Sequence, residues 1–129
     1  MNQPERFVID GLPPCTNHSY SPKRRGGMYK VHSADDWQCA AIAQCIEQQV
    51  KPRQDWNRRN AEIEVWCYMR RPLGSDWDGR IKLCQDAVAT ALGFDDRYIW
   101  DGHGHKRRHK RGPEHTIVVV TELDGEPAG

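Results

Sequence analysis

The acidic residues and one lysine in the second half of the chain are spaced as in a cation site. Two aspartates one residue apart, Asp76 and Asp78, are followed by Lys82 and, after a helical run, by the adjacent pair Asp95 and Asp96. Carboxylates repel one another, so they cluster where a cation is expected between them. Three oxygen donors from two loops suit Mg²⁺, which takes few protein ligands and completes its shell with water and phosphate oxygens. The spacing therefore predicts a Mg²⁺ site that acts on a phosphate.

Lys82 is placed to take part in that chemistry. It lies about one helical turn after Asp78, on the same face of a predicted helix, so its ammonium reaches the same site. There it would stabilise the negative charge that develops at the phosphorus or on the leaving oxygen. The N-terminus of the helix adds backbone N–H groups that favour a nearby phosphate.

Simpler structural roles are open for each of these residues taken alone. Asp76 could be only a helix cap, Asp95 and Asp96 only turn residues, and Lys82 only the ion-pair partner of Asp86. A D-x-D pair by itself also occurs in nucleotidyltransferase-like and glycosyltransferase sites. The order of all three elements, with basic segments on both sides, favours a functional site.

Basic residues are concentrated in two segments, although the net charge of the chain is only +1. Residues 97–115 carry six Lys or Arg against two acids, a local charge of +4. Concentrated basic charge on a nearly neutral chain is typical of a protein that holds a polyanion on one face; a solvated surface is the alternative. The residues that we expect to bind phosphates are Lys23, Arg24 and Arg25 in the first segment and Lys106, Arg107, Arg108, Lys110 and Arg111 in the second.

Hydrophobic periodicity predicts the strands that position these residues. Alternating apolar residues predict a strand over 62–70. A short first strand is predicted over 6–12, before Pro13-Pro14, and the β-branched run over 115–121 predicts a final strand. A further strand is predicted to begin at Tyr98–Trp100 and to run into the second basic segment. Residues 13–30, which are rich in turn-forming types, are interpreted as a loop.

Two helices are predicted between these strands. The first begins at a capping-box pattern, Ser33-Ala-Asp-Asp36, and ends before Pro52. The second runs over 78–92, with Gly93 as its C-terminal stop. The order β-α-β-α-β-β predicts an α+β fold in which a small mixed sheet is covered by two helices. The residues expected to face the core are Trp37, Ala41, Ile42, Cys45, Ile46, Gln49 and Val50 in the first helix and Ile81, Cys84, Val88 and Leu92 in the second.

Length and composition predict a single cytoplasmic domain. The 129 residues suffice for one core, so we expect one domain over 1–129 with a frayed tail over about 123–129. The mean hydropathy is −0.86, and no window approaches a membrane span. The N-terminus lacks the pattern of a signal peptide, which predicts a cytoplasmic location.

The five cysteines predict neither a disulfide nor a thiolate metal site. Their number is odd and they include no C-x-x-C pair. Four of them fall in apolar runs, where free cysteine behaves as a small hydrophobe: Cys39, Cys45, Cys67 and Cys84.

Three histidines in the second basic segment have two interpretations. His103 and His105 fall on one face of a strand and His109 follows four residues later, a spacing that can hold Zn²⁺. We favour the alternative that histidines within a Lys/Arg run add donors to phosphate binding.

Three sequence motifs carry a family resemblance. The central one reads Asp76-Trp-Asp78-Gly-Arg-Ile-Lys82 and is followed by Asp86-Ala-Val and by Gly93-Phe-Asp95-Asp96. Upstream, Leu12-Pro-Pro-Cys-Thr-Asn17-His-Ser-Tyr20 precedes Met28-Tyr29-Lys30. On these motifs the chain, over roughly residues 6–122, resembles the RusA family of Holliday junction resolvases. These are small dimeric Mg²⁺-dependent endodeoxyribonucleases of bacteria and of their prophages and phages.

The resemblance implies a structure-specific endonuclease that resolves four-way junctions and other branched DNA. The metal-binding aspartates of the family fall on Asp76, Asp78 and Asp96, its catalytic lysine on Lys82, and a loop asparagine near the DNA on Asn17. The implied cofactor is Mg²⁺, with Mn²⁺ as a substitute. The implied partners are branched DNA and a second copy of the chain in a homodimer, with no membrane.

Two departures from the family pattern leave parts of the site open. Gly79 stands where asparagine is usual, which removes any hydrogen bond from that position. The connection between the helix and the acidic pair is about one residue shorter, so Asp95 is an alternative to Asp96 as the third ligand.

Two other functions compete with the nuclease. One is a non-catalytic DNA-binding protein on the same scaffold, which gains nothing from acidic residues that face phosphates. The other is a different metal-dependent enzyme of nucleotide phosphotransfer.

Overall fold

The described part of the chain forms a four-stranded sheet, a two-stranded sheet and two long helices. The computed structural model describes residues 4–14, 20–22, 28–30, 32–49, 60–72 and 78–123. The strands are β1 (Glu5–Asp10), β2 (Tyr20–Pro22), β3 (Met28–Lys30), β4 (Ala61–Met69), β5 (Ile99–Arg108) and β6 (His115–Glu122). The helices are α1 (His32–Gln48) and α2 (Asp78–Leu92), and a 3₁₀ turn, η1, covers Asp96–Tyr98. These elements confirm the predicted α+β fold, with a mixed sheet and two helices.

The main sheet has the strand order β1-β6-β4-β5. β1 and β4 are antiparallel to β6, and β5 is parallel to β4, so β1, β4 and β5 all run in one direction. We call the end where these three strands finish, at Asp10, Met69 and Arg108, the carboxyl end of the sheet, and the end where they begin, at Glu5, Ala61 and Ile99, the amino end. A helix that joins two parallel neighbours must return from the carboxyl end to the amino end. α2 therefore runs antiparallel to β4.

One face of the main sheet packs against the helices. Ile63, Val65 and Cys67 of β4 are fully buried, whereas Glu64 and Trp66 between them are only half-buried on the other face. This alternation confirms the predicted strand, because a period of two sends every second side chain into the core. Further core residues are Leu83, Cys84, Val88 and Leu92 of α2 and Val118 and Val120 of β6. The face that carries Glu64 and Trp66 is called the open face below.

The buried face of α1 includes fewer residues than the periodicity predicts. Ile46 is expected in the core, but 50% of its surface is exposed. Ala41 and Cys45 are buried as predicted, and the buried Gln38, which was not in the predicted set, donates from Nε2 to Leu83 O at 3.0 Å. Small side chains let α1 approach α2 closely, so the larger Ile46 lies outside the contact. Neither this helix nor any other in the described residues is long and apolar enough to cross a membrane.

Two local predictions differ from the structure. Residues 20–30 are interpreted as a loop, but β2 and β3 pair antiparallel there, from Tyr20 with Lys30 to Pro22 with Met28. Strands of three residues are too short to show a period of two. α1 begins at His32, so the expected cap residue Ser33 lies in its first turn. Val50 and Pro52 fall outside the described residues.

The tail of the chain is expected to fray from about residue 123. Leu123 is held at the amino end of the sheet, where its N–H donates to Asn60 O at 2.8 Å. Residues 124–129 lie outside the described residues.

Three of the described cysteines are buried hydrophobes, as predicted. Cys45, Cys67 and Cys84 are buried free thiols, whereas Cys39 is exposed on α1, contrary to its prediction. Burial raises the pKa of Cys45 to about 12 and that of Cys67 to about 11, and it raises the pKa of Cys84 well above its ordinary value. The core favours the neutral thiol, so these three residues are poor nucleophiles at neutral pH.

Candidate active site

The carboxyl end of the main sheet joins segments that are far apart in the sequence. Gly11, just after β1, donates its N–H to Glu114 O at 3.0 Å. Arg70, just after β4, donates its N–H to Glu114 Oε2 and its Nη2 to Gly112 O, both at 2.8 Å. The segments that follow β1 and β4 are therefore held against the turn before β6.

The first turn of α2 lies at this same end. Arg80 in that turn donates from Nη1 to Pro13 O at 2.5 Å. Pro13 follows β1 and precedes the segment that contains Asn17, and Arg80 follows Asp78 by two residues. This hydrogen bond therefore joins the upstream motif to the central one. Asn17 itself lies outside the described residues.

The second basic segment approaches the start of α2 from β5. Lys106 donates from Nζ to Pro72 O at 3.0 Å, in the segment that leads from β4 towards Asp76. His109 donates its N–H to Met69 O at 2.9 Å, so the chain beyond β5 stays beside the end of β4. The predicted phosphate-binding segment is therefore a neighbour of the segment that leads into the predicted acidic motif.

Strand register decides which face each basic side chain uses. Lys106 pairs with Cys67, and Arg108 pairs with Met69. Cys67 and Met69 are buried on the face of the sheet that the helices cover. Arg107 pairs with Tyr68, which belongs to the open face. Paired residues on neighbouring strands share a face, so Lys106 and Arg108 project on the side of α2 and Arg107 on the other side.

Two of the predicted active residues belong to α2 at this end. Asp78 is the first residue of α2, and Lys82 is exposed one turn later. Lys110 and Arg111 are exposed in the turn after β5. Five of the predicted site residues lie outside the described residues: Asn17, already named, and Lys23, Arg24, Arg25 and Asp76.

Asp95 and Asp96 lie at the amino end of the sheet. Gly93, with φ of 80°, ends α2 as predicted, and η1 follows. Asp95 caps η1, because its Oδ1 accepts from Arg97 N at 3.0 Å. This hydrogen bond lowers the pKa of Asp95, and the neighbouring Asp96 carboxyl contributes in the same direction. Asp96, in the first turn of η1, is exposed like Asp95 but does not serve as the cap.

The two parts of the predicted acidic cluster are separated by the length of α2. The helix has 15 residues, which puts its ends about 21 Å apart at 1.5 Å per residue. Two aspartates that share one Mg²⁺ have Cα atoms within roughly 10 Å of each other, since each metal–oxygen bond is near 2.1 Å. One chain therefore does not bring Asp78 and Asp96 to one ion. In the described residues no group of three or more His, Cys, Asp or Glu could hold a metal ion.

His105 is engaged on the open face rather than in a zinc site. Its ring stacks on Trp66, with centroids 4.6 Å apart and planes 16° from parallel. Its Nε2 lies 3.3 Å from Glu64 Oε2. His103, which pairs with Glu64, is exposed on the same face. A donor role for these histidines towards phosphate stays a prediction.

His109 belongs to an aromatic cluster that sequence reasoning missed. Tyr68 and His115 stack with centroids 4.7 Å apart, and His109 contacts both rings edge-on. Tyr68 is the last residue of β4 on the open face, and His115 begins β6. Their proximity depends on the pairing of β4 with β6, which periodicity within one strand does not reveal. The same limit applies to Arg80, whose partner Pro13 is distant in sequence.

Compared with known proteins, the chain matches no family model and no curated protein sequence. The resemblance to RusA resolvases therefore stays a prediction that rests on the sequence motifs.

Proposed function

We propose that the protein is a Mg²⁺-dependent, structure-specific DNA endonuclease. It would act as a homodimer and resolve Holliday junctions and other branched DNA by paired hydrolysis of phosphodiester bonds, in recombination and repair. Its place of action would be the cytoplasm of a bacterium, on behalf of the cell, a prophage or a phage.

The observation that supports this most is the convergence at the carboxyl end of the sheet. Arg80 at the start of α2 contacts Pro13, and Lys106 of the basic segment contacts Pro72. These contacts put the basic segment beside the segment from which the Asp76–Lys82 motif continues. Basic side chains there would bind the DNA backbone and leave a phosphate next to the acidic motif.

The donor set fits the proposed ion. Asp76, Asp78 and Asp96 offer carboxylate oxygens, which Mg²⁺ prefers. Mg²⁺ held there would neutralise phosphate charge and supply an activated water. Lys82, exposed one turn after Asp78, would hold its ammonium against the charge on the leaving oxygen.

The position of Asp96 is the reason for proposing a site shared by two chains. Within one chain, α2 puts its last residue, Leu92, about 21 Å from Asp78, and Asp96 follows at the far end of the helix. A two-fold axis that sets α2 antiparallel to its copy puts the end of each helix beside the start of the other. Each site would then take Asp76, Asp78 and Lys82 from one chain and Asp96 from its partner. Two such sites match the near two-fold symmetry of a four-way junction.

The test of this function is cleavage of three labelled substrates: a synthetic four-way junction, a linear duplex and a single strand. We expect paired nicks in the junction and none in the other two, because only branched DNA offers a phosphate to each site of the dimer. EDTA is expected to stop the reaction, and Mn²⁺ to replace Mg²⁺. A junction that is bound but never cut would favour the non-catalytic DNA-binding protein. Turnover of nucleotides without cleavage of DNA would favour the phosphotransfer enzyme.

Neutralising two exposed basic residues, Arg108→Gln with Lys110→Gln, is expected to weaken junction binding and its dependence on salt. Each lost phosphate contact lowers the slope of log K against log salt by about 0.9, so the double variant is expected to lose about 1.8. Fluorescence anisotropy of a labelled junction over a salt series measures this slope. Arg6→Gln, at an exposed position on β1, is the matched control. An unchanged slope in the double variant would remove this segment from the DNA-binding surface.

A further inference from the structure

The two edge strands of the main sheet differ in how their outer backbone groups are satisfied. On β1, Val8 donates its N–H to Gln48 Oε1 at 2.8 Å, and its carbonyl accepts from Gln48 Nε2 at 2.7 Å. Asp10 donates its N–H to Gln44 Oε1 at 2.8 Å. Two glutamines of α1 therefore occupy positions that an added strand would use, which closes this edge.

β5 forms the opposite edge of the sheet. It has ten residues and pairs with β4 alone among the described strands. Trp100 on this strand is 45% exposed, and His103 is exposed as well. Arg107 donates from Nη1 to Lys106 O at 2.9 Å within this strand, a contact that pairing with a second copy would replace. A long edge strand presents a row of N–H and C=O groups to which another strand can be added.

The charges of β5 are self-complementary when two copies run antiparallel. In a pairing centred on Gly104, Asp101 of each chain lies opposite Arg107 of the other. Both side chains belong to the open face, since Asp101 pairs with Glu62 and Arg107 with Tyr68 in the sheet. Opposite charges across two antiparallel strands stabilise the pair. Glycine at the centre lets the two backbones approach closely.

The same pairing sets the two copies of α2 side by side. The side chain of Gln85 on α2 reaches β5, because a Cβ built on Gly102 would come 2.5 Å from Gln85 Nε2. A two-fold axis through Gly104, perpendicular to the sheet, puts both helices on one side and antiparallel to each other. The end of each helix, followed by Asp96, then faces towards the start of the other, at Asp78. A site shared between two chains needs this arrangement.

We infer that the edge of β5, with which no other described strand pairs, is the dimer interface, formed by antiparallel pairing of β5 with its copy about Gly104 and by two Asp101–Arg107 ion pairs. The inference rests on the proposed function for the existence of a dimer and adds the surface that forms it. DNA is a weaker candidate for this edge. A strand edge alternates donors and acceptors, which complement another strand, whereas a phosphate row offers acceptors only, and Asp101 would repel it.

The test is an exchange of charge across the proposed axis. Asp101→Arg and Arg107→Asp are prepared singly and together and are measured by sedimentation velocity without DNA, over about 1 to 100 µM. The wild-type chain of 14.9 kDa is expected to sediment as a dimer. Each single variant puts two like-charge pairs into the interface and is expected to raise the dimer dissociation constant at least about tenfold. The double variant restores both ion pairs with reversed polarity and is expected to dimerise nearly as the wild type does.

Matched controls lie on the closed edge. Arg6→Asp and Asp10→Arg make the same charge changes at exposed positions of β1 and are expected to leave the dimer intact. A second measurement uses Gly104→Cys in a chain with Cys15 and Cys39 replaced by serine. Mild oxidation is expected to link two copies through position 104, whereas Val8→Cys in the same background is expected to stay unlinked.

Three results would overturn the inference: a wild-type monomer at every concentration, a dimer indifferent to both single reversals, or a double variant as weak as the single ones. If the protein fails this test but still cuts junctions as a dimer, the proposed function stands and the dimer interface lies elsewhere. A dimer that passes it but cuts no DNA would keep the interface and remove the nuclease.

Discussion

Replacing Asp76 by asparagine is expected to abolish junction cleavage while leaving junction binding nearly unchanged. Asparagine keeps the shape of the side chain but removes one carboxylate charge from the set proposed to hold Mg²⁺. Loss of one such preorganised group costs about 10²–10³ in rate. Affinity depends instead on basic side chains, which this change leaves in place. Initial cleavage rates in Mg²⁺ and anisotropy of a labelled junction in EDTA measure the two properties separately.

Glu47→Gln is the matched control for this experiment. Glu47 is exposed on α1, and its replacement removes the same charge at a distance from the acidic motif. This variant is expected to cut at the wild-type rate. Cleavage retained by Asp76→Asn would exclude Asp76 from the metal site and would leave the D-x-D pair with the structural role of a helix cap.

Mixing two inactive variants, Asp78→Asn and Asp96→Asn, is expected to restore nicking of the junction. In a mixed dimer one shared site combines the intact Asp78 of one chain with the intact Asp96 of the other, while the second site lacks both. Random exchange makes half of the dimers mixed, so about a quarter of the wild-type sites are recovered. If each site used one chain only, every site in the mixture would lack one aspartate and no activity would return.

The readout is the first nick in a labelled junction, because a mixed dimer has one working site and does not make paired cuts. Each variant assayed alone at the same total concentration sets the background. One of the two variants is prepared with a different mass, so that a dimer containing both variants is recognised by its intermediate mass. Mixed dimers without nicking would contradict the shared site. Asp95→Asn, mixed in place of Asp96→Asn, tests which of the two aspartates is the third metal ligand. Asp95 already caps η1, so we expect Asp96 to be that ligand.

Elements with a long periodic pattern were predictable from the sequence. The second helix was predicted over 78–92 and is found at Asp78–Leu92, because its apolar positions repeat at helical spacing and Gly93 adopts the positive φ that ends it. β4 was predicted within one residue at each end from alternation alone. Ile46 was assigned wrongly because periodicity identifies a helix face but not how much of it a neighbouring helix covers.

The sequence by itself determined which chemical groups the protein carries and which local elements hold them, since side-chain type and periodicity are properties of short segments. Only the tertiary structure decided which groups meet. α2 rises by a constant amount per residue, so it carries Asp96 to the amino end of the sheet, away from Asp78. β5 lies parallel to β4, so it returns Lys106 to Pro72 at the carboxyl end. The acidic cluster that looks continuous along the chain is therefore divided between the two ends of the sheet.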